Sequence, residues 1–115
     1  MTKPGEVYWA RSTQGGDHPF IVVGRPELYR GKYLLVVPVT SQKVELRAKL
    51  PNCVHLRKGQ FGFTKDCVAQ AEALTLIERD ELDLAQGPSG RIDAACFRDL
   101  IKAIAYALEA DCEPL

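Results

Sequence analysis

Hydrophobic residues fall in short runs over most of the chain and follow a helical repeat only near its end. Runs at residues 5–10, 18–24 and 32–39 are typical of strands, because they are short, apolar and bounded by glycine or proline loops. Residues 53–56 form a weaker strand signal. Residues 67–77 alternate small apolar and polar side chains, which predicts one long strand, with a helix as the alternative. The pattern therefore predicts a sheet of five or six strands.

Two prolines fix the ends of predicted strands. Pro19 disfavours a helical conformation at the preceding residue, so His18 begins the second strand rather than ending a helix. Pro38 cannot donate a ladder hydrogen bond and predicts a bulge or the end of the third strand. Thr40 and Ser41 then lie at a strand terminus, where hydroxyl groups can reach a ligand.

The C-terminal segment predicts a helix over about residues 93–109. Apolar residues recur there with the spacing of one helix face, at Phe97, Leu100, Ile101, Ile104 and Leu108. Asp93 is a candidate N-cap, and Ile92 before it can pack on Phe97. Strands followed by one terminal helix predict a mainly β fold, a small antiparallel barrel with a C-terminal α-helix.

Composition narrows the class of protein. The chain has 115 residues, of which 46% are hydrophobic and 26% charged, so we expect one globular domain over residues 1–115. It has no apolar leader segment and no run long enough to cross a bilayer, which predicts a cytoplasmic protein without a membrane partner. The four cysteines lack the spacing of a zinc site, so we expect reduced thiols and no metal.

Charge is divided unevenly along the chain although the net charge is zero. Residues 1–65 hold eleven Lys and Arg against four Asp and Glu, an excess of seven positive charges, and residues 66–115 carry the opposite excess. An electropositive face supplied by the first part would attract phosphates. The alternative is that the two parts interleave in space and their fields cancel.

Five stretches of the chain, in their order, resemble the MazF/PemK family, the toxins of bacterial toxin–antitoxin pairs. They are GEVYWA, HPFIVVG after a glycine-containing loop, VVPVTSQ, LIERDEL and the terminal helix. The resemblance implies an SH3-like barrel that forms a homodimer and binds a small antitoxin protein. It also implies cleavage of single-stranded RNA without metal or cofactor, leaving a 2′,3′-cyclic phosphate and a 5′-hydroxyl.

The resemblance also points to site residues. In the family an arginine precedes the proline of the second strand and a threonine follows the proline motif of the third. Thr40 matches the threonine, whereas His18 stands in the arginine's position. A second departure is Glu72-Ala73, where the family frequently has Asp-Gln. The match makes Thr40 and His18 the candidate catalytic residues, although Thr40 is also suited to bonding its own backbone at a strand end.

The His18 substitution leaves two interpretations open. An imidazole, with an ordinary pKa of about 6.5, suits a general acid or base better than a guanidinium does. His18 is equally compatible with a turn residue in an inactive member that binds nucleic acid or a partner protein. Without the family's arginine, the bidentate contact to phosphate would have to come from Arg11 or Arg25.

Further candidate substrate-binding residues are Gln14, Ser41, Gln42 and Lys43. Lys43, Glu45, Arg47 and Lys49 share one strand parity, which favours a solvated face, with phosphate steering as the alternative. Tyr8 and Trp9 could both stack on bases, but we expect one of them in the core, since the first strand of a small barrel must bury a face. Gyrase poisoning, known from relatives of this fold, ranks last because the acidic tail lacks an aromatic residue.

Overall fold

The computed structural model describes residues 2–10 and 18–109. Its strands are β1 Glu6–Trp9, β2 Pro19–Val22, β3 Tyr33–Thr40, β4 Cys53–Leu56, β5 Cys67–Gln70, β6 Thr75–Glu78 and β7 Gly90–Arg91. The helices are α1 Val44–Arg47 and α2 Ala94–Glu109, with 3₁₀ turns at Pro26–Tyr29, Ala71–Ala73 and Arg79–Glu81. Within these ranges no helix is long and apolar enough to span a membrane.

The strands form one antiparallel sheet in the order β4-β5-β3-β2-β1-β7, with β6 also paired to β3. β3 is the central strand, because it pairs with β2 along one edge and with β6 and then β5 along the other. This change of partner along one strand curves the sheet into a half-barrel, and α2 follows it at the end of the chain. The predicted mainly β barrel with a C-terminal helix is confirmed.

The prediction of one long strand over residues 67–77 is wrong. The 3₁₀ turn at Ala71–Ala73 divides it into β5 and β6, which pair with different parts of β3. β6 pairs with β3 as far as Val36, and β5 pairs with β3 from Val39 onward. Neither of them is paired with Val37 or Pro38. Pro38 does not end β3, which continues to Thr40 and pairs Pro38 with Phe20 of β2; the interruption lies only on its other side, where Pro38 has no ladder hydrogen bond to donate.

The two faces of the sheet carry separate apolar clusters. On one face, Val7, Ile21 and Val37 pack with Leu56 and with Leu100 of α2, and this set is the first cluster. On the other face, the second cluster consists of Tyr8, Val22, Leu34, Val36 and Leu82. Alternation of side chains along β1, β2 and β3 explains the division, since successive residues of a strand point to opposite faces.

α2 is capped as predicted but buries a narrower face. The N–H of Cys96 donates to Oδ1 of Asp93 at 2.8 Å, which is an N-cap hydrogen bond. Leu100 is buried, whereas Ile101 is 44% and Leu108 70% exposed, so those two members of the predicted stripe do not belong to the core. The helix packs mainly on β4 and on the turn at Ala71–Ala73, which covers one side of it only.

Candidate functional site

A pocket of about 380 Å³ lies where β1, β2 and β3 meet the segment before β5. Its lining residues are Trp9, Pro19, Val39, Thr40, Ser41, Phe63, Thr64, Lys65 and Cys67. Strand register brings the four chain segments together, since β2 also pairs with β3. Trp9 pairs with Pro19 across β1 and β2, and Thr40 pairs with Val68 across β3 and β5. The chain just before β5 is thereby placed beside the end of β3.

Thr40 is largely buried in this pocket, with 7% of its surface exposed. Its Oγ1 accepts a hydrogen bond from the backbone N–H of Gln42 at 3.2 Å. This is the local backbone bond weighed above as the structural alternative for Thr40. A hydroxyl that accepts one bond still carries its own hydrogen, so the same side chain can donate to a ligand in the pocket.

His18 is not among the residues that line the pocket. It is exposed and directly precedes Pro19, which is buried and lines the pocket. The last pair in the register of β2 and β3 joins Phe20 to Pro38. His18 lies two residues before Phe20, and Thr40 lies two residues after Pro38. Because the strands are antiparallel, both residues are at the same end of this strand pair.

The three residues that follow Thr40 have different surroundings. Ser41 lines the pocket, whereas Gln42 is exposed and its carbonyl accepts a hydrogen bond from Arg47 at 3.2 Å. Lys43 adopts a left-handed conformation, with φ of 52°, at the start of α1. It lines an adjoining open pocket that also includes Ser41. The strand parity assumed for Lys43 and Arg47 is wrong, because this segment turns into a helix.

Among the described residues, the one remaining predicted contact, Arg25, is not brought to the pocket. Arg25 is exposed and precedes the 3₁₀ turn at Pro26–Tyr29, at the opposite end of β2 from His18. Arg11 and Gln14 lie outside the described residues. Glu72, in the place of the family's Asp-Gln pair, accepts a hydrogen bond from Asn52 at 2.7 Å.

Sequence reasoning missed Phe63, Thr64 and Lys65, because none of the five stretches that resemble the family includes them. A compact loop holds these three residues at the pocket. The N–H of Phe63 donates to the carbonyl of Gln60 at 2.8 Å, and that of Lys58 donates to Oδ1 of Asp66 at 2.8 Å. The glycines of the sequence GQFG were the available signal, since they mark a tight turn leading directly to this segment.

Two glycines dock this loop against β7. Gly62 has a φ of +86°, and a Cβ there would collide with the carbonyl oxygen of Ser89. A Cβ on Gly90 would likewise collide with the carbonyl of Phe61. Only glycine permits backbones to approach this closely, so the position of Phe63 depends on both.

The thiol in the pocket is not activated. Burial, and next the neighbouring charge of Asp66, raise the pKa of Cys67 to about 11. Cys67 is therefore protonated near neutral pH and is not a nucleophile. Among residues 2–10 and 18–109, no group of three or more His, Cys, Asp or Glu side chains could hold a metal ion.

The two adjacent aromatic residues of β1 have different surroundings. Tyr8 is buried in the second cluster, and its hydroxyl donates to Oε1 of Glu6 at 2.9 Å. Trp9 is 40% exposed and forms part of the pocket wall. The expectation that one of the pair belongs to the core is met by Tyr8, which leaves Trp9 available for stacking.

Comparison with known proteins identifies matches in sequence and in fold. The family model described as "PemK-like, MazF-like toxin of type II toxin-antitoxin system" matches residues 3–108. An endoribonuclease in complex with its cognate antitoxin from a mycobacterial species has a TM-score of 0.75 at 21% identity, covering 99% of this chain and 100% of that one. No curated protein matches the sequence.

Two further solved structures have the same fold. One is an endoribonuclease from a mycobacterial species, with a TM-score of 0.72 at 20% identity over 98% of this chain and 95% of that one. The other is the Mycobacterium tuberculosis toxin MazF-mt6, with a TM-score of 0.71 at 20% identity over 90% and 96% of the two chains.

Proposed function

We propose, from the premise that this chain belongs to the PemK-like, MazF-like toxins of type II toxin–antitoxin systems, that it cleaves single-stranded RNA at the pocket beside Thr40. The observation that carries the proposal is the composition of the pocket. Thr40, Ser41 and the partly exposed Trp9 line one cavity, and two hydroxyl residues beside an indole suit a phosphate and a base held side by side. Every lining residue except Cys67 comes from the positively charged part of the chain, residues 1–65.

The proposed reaction is an internal transfer that needs neither metal nor cofactor. The ribose 2′-oxygen forms a bond to the neighbouring phosphorus, and the bond from phosphorus to the 5′-oxygen breaks. A base takes the proton of the 2′-hydroxyl, and an acid supplies a proton to the leaving 5′-oxygen. His18, which is exposed and directly precedes the pocket residue Pro19, has a side chain that can perform one of these transfers, and Thr40 can donate to a phosphate oxygen.

The family premise extends the proposal to partners. One mycobacterial structure of the same fold is described as an endoribonuclease with its cognate antitoxin, so we expect a small antitoxin protein to bind and silence this chain. We also expect a homodimer, because pairing protects the exposed edges of a small sheet. Cleavage of cellular RNA would take place in the cytoplasm.

The test is incubation of the purified protein with a long single-stranded RNA in the presence of EDTA. We expect discrete products that end in a 2′,3′-cyclic phosphate and begin with a 5′-hydroxyl, detected by end-specific labelling. Cleavage that requires an added metal ion would contradict the mechanism. The absence of cleavage under all conditions, with RNA binding retained, would instead identify an inactive binding module.

The His18 variants separate these two outcomes further. If His18 transfers a proton, His18→Ala abolishes cleavage without lowering the unfolding midpoint, and His18→Arg restores the family's residue and retains activity. If the natural protein is inactive, His18→Arg is the variant expected to recover cleavage. Unchanged activity in His18→Ala refutes the catalytic role of this residue.

A further inference from the structure

We propose that Lys65 supplies the positive charge that holds the cleaved phosphate, in place of the arginine that His18 replaces. The assignment rests on the proposed function, because it concerns the RNA phosphate at the Thr40 pocket. Lys65 is exposed and lines this pocket together with Thr40 and Ser41. It belongs to the middle segment of the chain, where no sequence motif pointed to chemistry.

Strand pairing accounts for the position of Lys65. β5 begins at Cys67, and its next residue, Val68, is in register with Thr40. Lys65, two residues before β5, therefore lies beside the end of β3. Its ammonium is carried on a flexible stem and can approach a phosphate at the pocket mouth as a point charge.

The neighbouring carboxylate is directed elsewhere. Oδ1 of Asp66 accepts the backbone N–H of Lys58 at 2.8 Å. Asp66 lines the adjoining pocket, whereas Lys65 lines the pocket of Thr40. Two consecutive residues of opposite charge are thus assigned to different cavities, which leaves a cation at the proposed site.

A cation is needed at this position because transfer through phosphorus builds negative charge on the phosphate oxygens. An imidazole at His18 provides proton transfer but not a permanent charge. Arg25 does not compensate, since it lies at the opposite end of β2. Lys65 is the cationic side chain among the residues that line the described pocket wall.

The experiment compares Lys65→Ala, Lys65→Arg and the control Lys58→Ala. Lys58 is an exposed lysine of the same loop that does not line the pocket. Single-turnover cleavage is measured on an RNA oligonucleotide that contains the mapped cleavage site. We expect Lys65→Ala to lose activity on the order of 100-fold, Lys65→Arg to retain most of it, and Lys58→Ala to stay close to the natural protein.

Binding separates a phosphate contact from a structural effect. With the same oligonucleotide made uncleavable by a 2′-deoxy substitution, the slope of log affinity against log salt should fall by about 0.7 in Lys65→Ala, the value for one lost phosphate contact on a single strand. Equal cleavage by the natural protein and Lys65→Ala would overturn the assignment, as would a larger loss in Arg25→Ala.

Failure of the proposed function is a distinct result. If the natural protein does not cleave RNA, the proposed function is refuted. The long RNA then serves only to measure binding. Equal RNA affinity and equal salt slope of the natural protein and Lys65→Ala then overturn the Lys65 assignment too. A weaker affinity with a reduced slope in Lys65→Ala supports it as a phosphate contact of a binding module.

Discussion

Tyr8 and Trp9 are neighbours on β1, yet one belongs to a sealed cluster and the other to an open pocket. Tyr8 packs with Leu34 and Leu82, and its hydroxyl has a partner in Glu6. Trp9 faces the cavity that contains Thr40. Both aromatic residues are large, but only one of them is available to a ligand.

The difference arises from what covers each face of the sheet. The segment after β6 places Leu82 and the half-buried Leu84 over the second cluster and closes it. On the other face, the first cluster extends through Val39, Phe63 and Cys67 directly into the pocket wall. The pocket therefore lies at the border of the first cluster, where its wall combines apolar residues of the core with Thr40, Ser41 and Lys65. Mutations on the two faces should affect different properties.

The largest effect is expected at the open side, from Thr40→Val. This change removes the hydroxyl and preserves the shape, so we expect RNA cleavage to fall on the order of 100-fold. The N–H of Gln42 loses its acceptor, which costs about 1 kcal/mol in the free energy of unfolding. Cleavage rate and urea unfolding are measured together.

Thr40→Ser is the matched control, because it keeps the hydroxyl and should retain most of the activity. If Thr40→Val cleaved RNA as fast as the natural protein, Thr40 would have only the structural role of bonding Gln42.

The next largest effect is expected at Gly62, where the loop that contains Phe63 packs against β7. Gly62→Ala meets both a left-handed φ of +86° and the carbonyl of Ser89, so we expect a loss of about 2–4 kcal/mol in unfolding free energy. Gly59 has a φ of +90° with open space around it, so Gly59→Ala should cost only about 1 kcal/mol. Urea titrations of the two variants provide the comparison, and equal losses would show that the contact with Ser89 is unimportant.

Trp9→Ala tests the stacking surface of the open side. We expect RNA affinity to fall about tenfold, in the range measured for one base stacked on an aromatic side chain. Trp9→Phe should preserve part of the affinity. Tyr33 is also 40% exposed but does not line this pocket, so Tyr33→Ala serves as a control of equal exposure. Equal losses in affinity for the two alanine variants would contradict a local stacking role for Trp9.

The smallest effect belongs to the sealed side. Tyr8→Phe removes the hydrogen bond to Glu6 and should cost about 1 kcal/mol of unfolding free energy, with RNA cleavage unchanged. Loss of cleavage in this variant would mean that the two faces are not independent.

Alkaline pH offers a second measurement on Tyr8. Burial, and next the bond to Glu6, raise its pKa to about 12. Because the folded state keeps the proton longer than the unfolded chain does, the stability that Tyr8 contributes is complete below pH 10 and declines as pH rises toward 12. The Cys67 and Cys96 thiols, whose pKa burial raises from 9.0 to about 11, add a loss of stability that begins about one pH unit lower and overlaps that of Tyr8. Tyr8→Phe should therefore remove only part of the combined loss, and an identical pH dependence would contradict the raised pKa.

The sequence by itself determined the elements whose signals are local. The apolar runs at β2 and β3 and the Asp93 cap of α2 each depend on neighbours in the chain. The motif VVPVTSQ likewise contained Thr40 and Ser41, which line the pocket.

Only the tertiary structure decided which distant residues share a cavity. Lys65 reaches the pocket because β5 pairs with β3, and Arg25 is excluded because it lies at the other end of β2. The exposure of Trp9 rather than Tyr8, and that of Ile101 on α2, depends on which surfaces other elements cover. Register and coverage are set by long-range packing, and a periodic sequence pattern identifies an apolar face without identifying what will bury it.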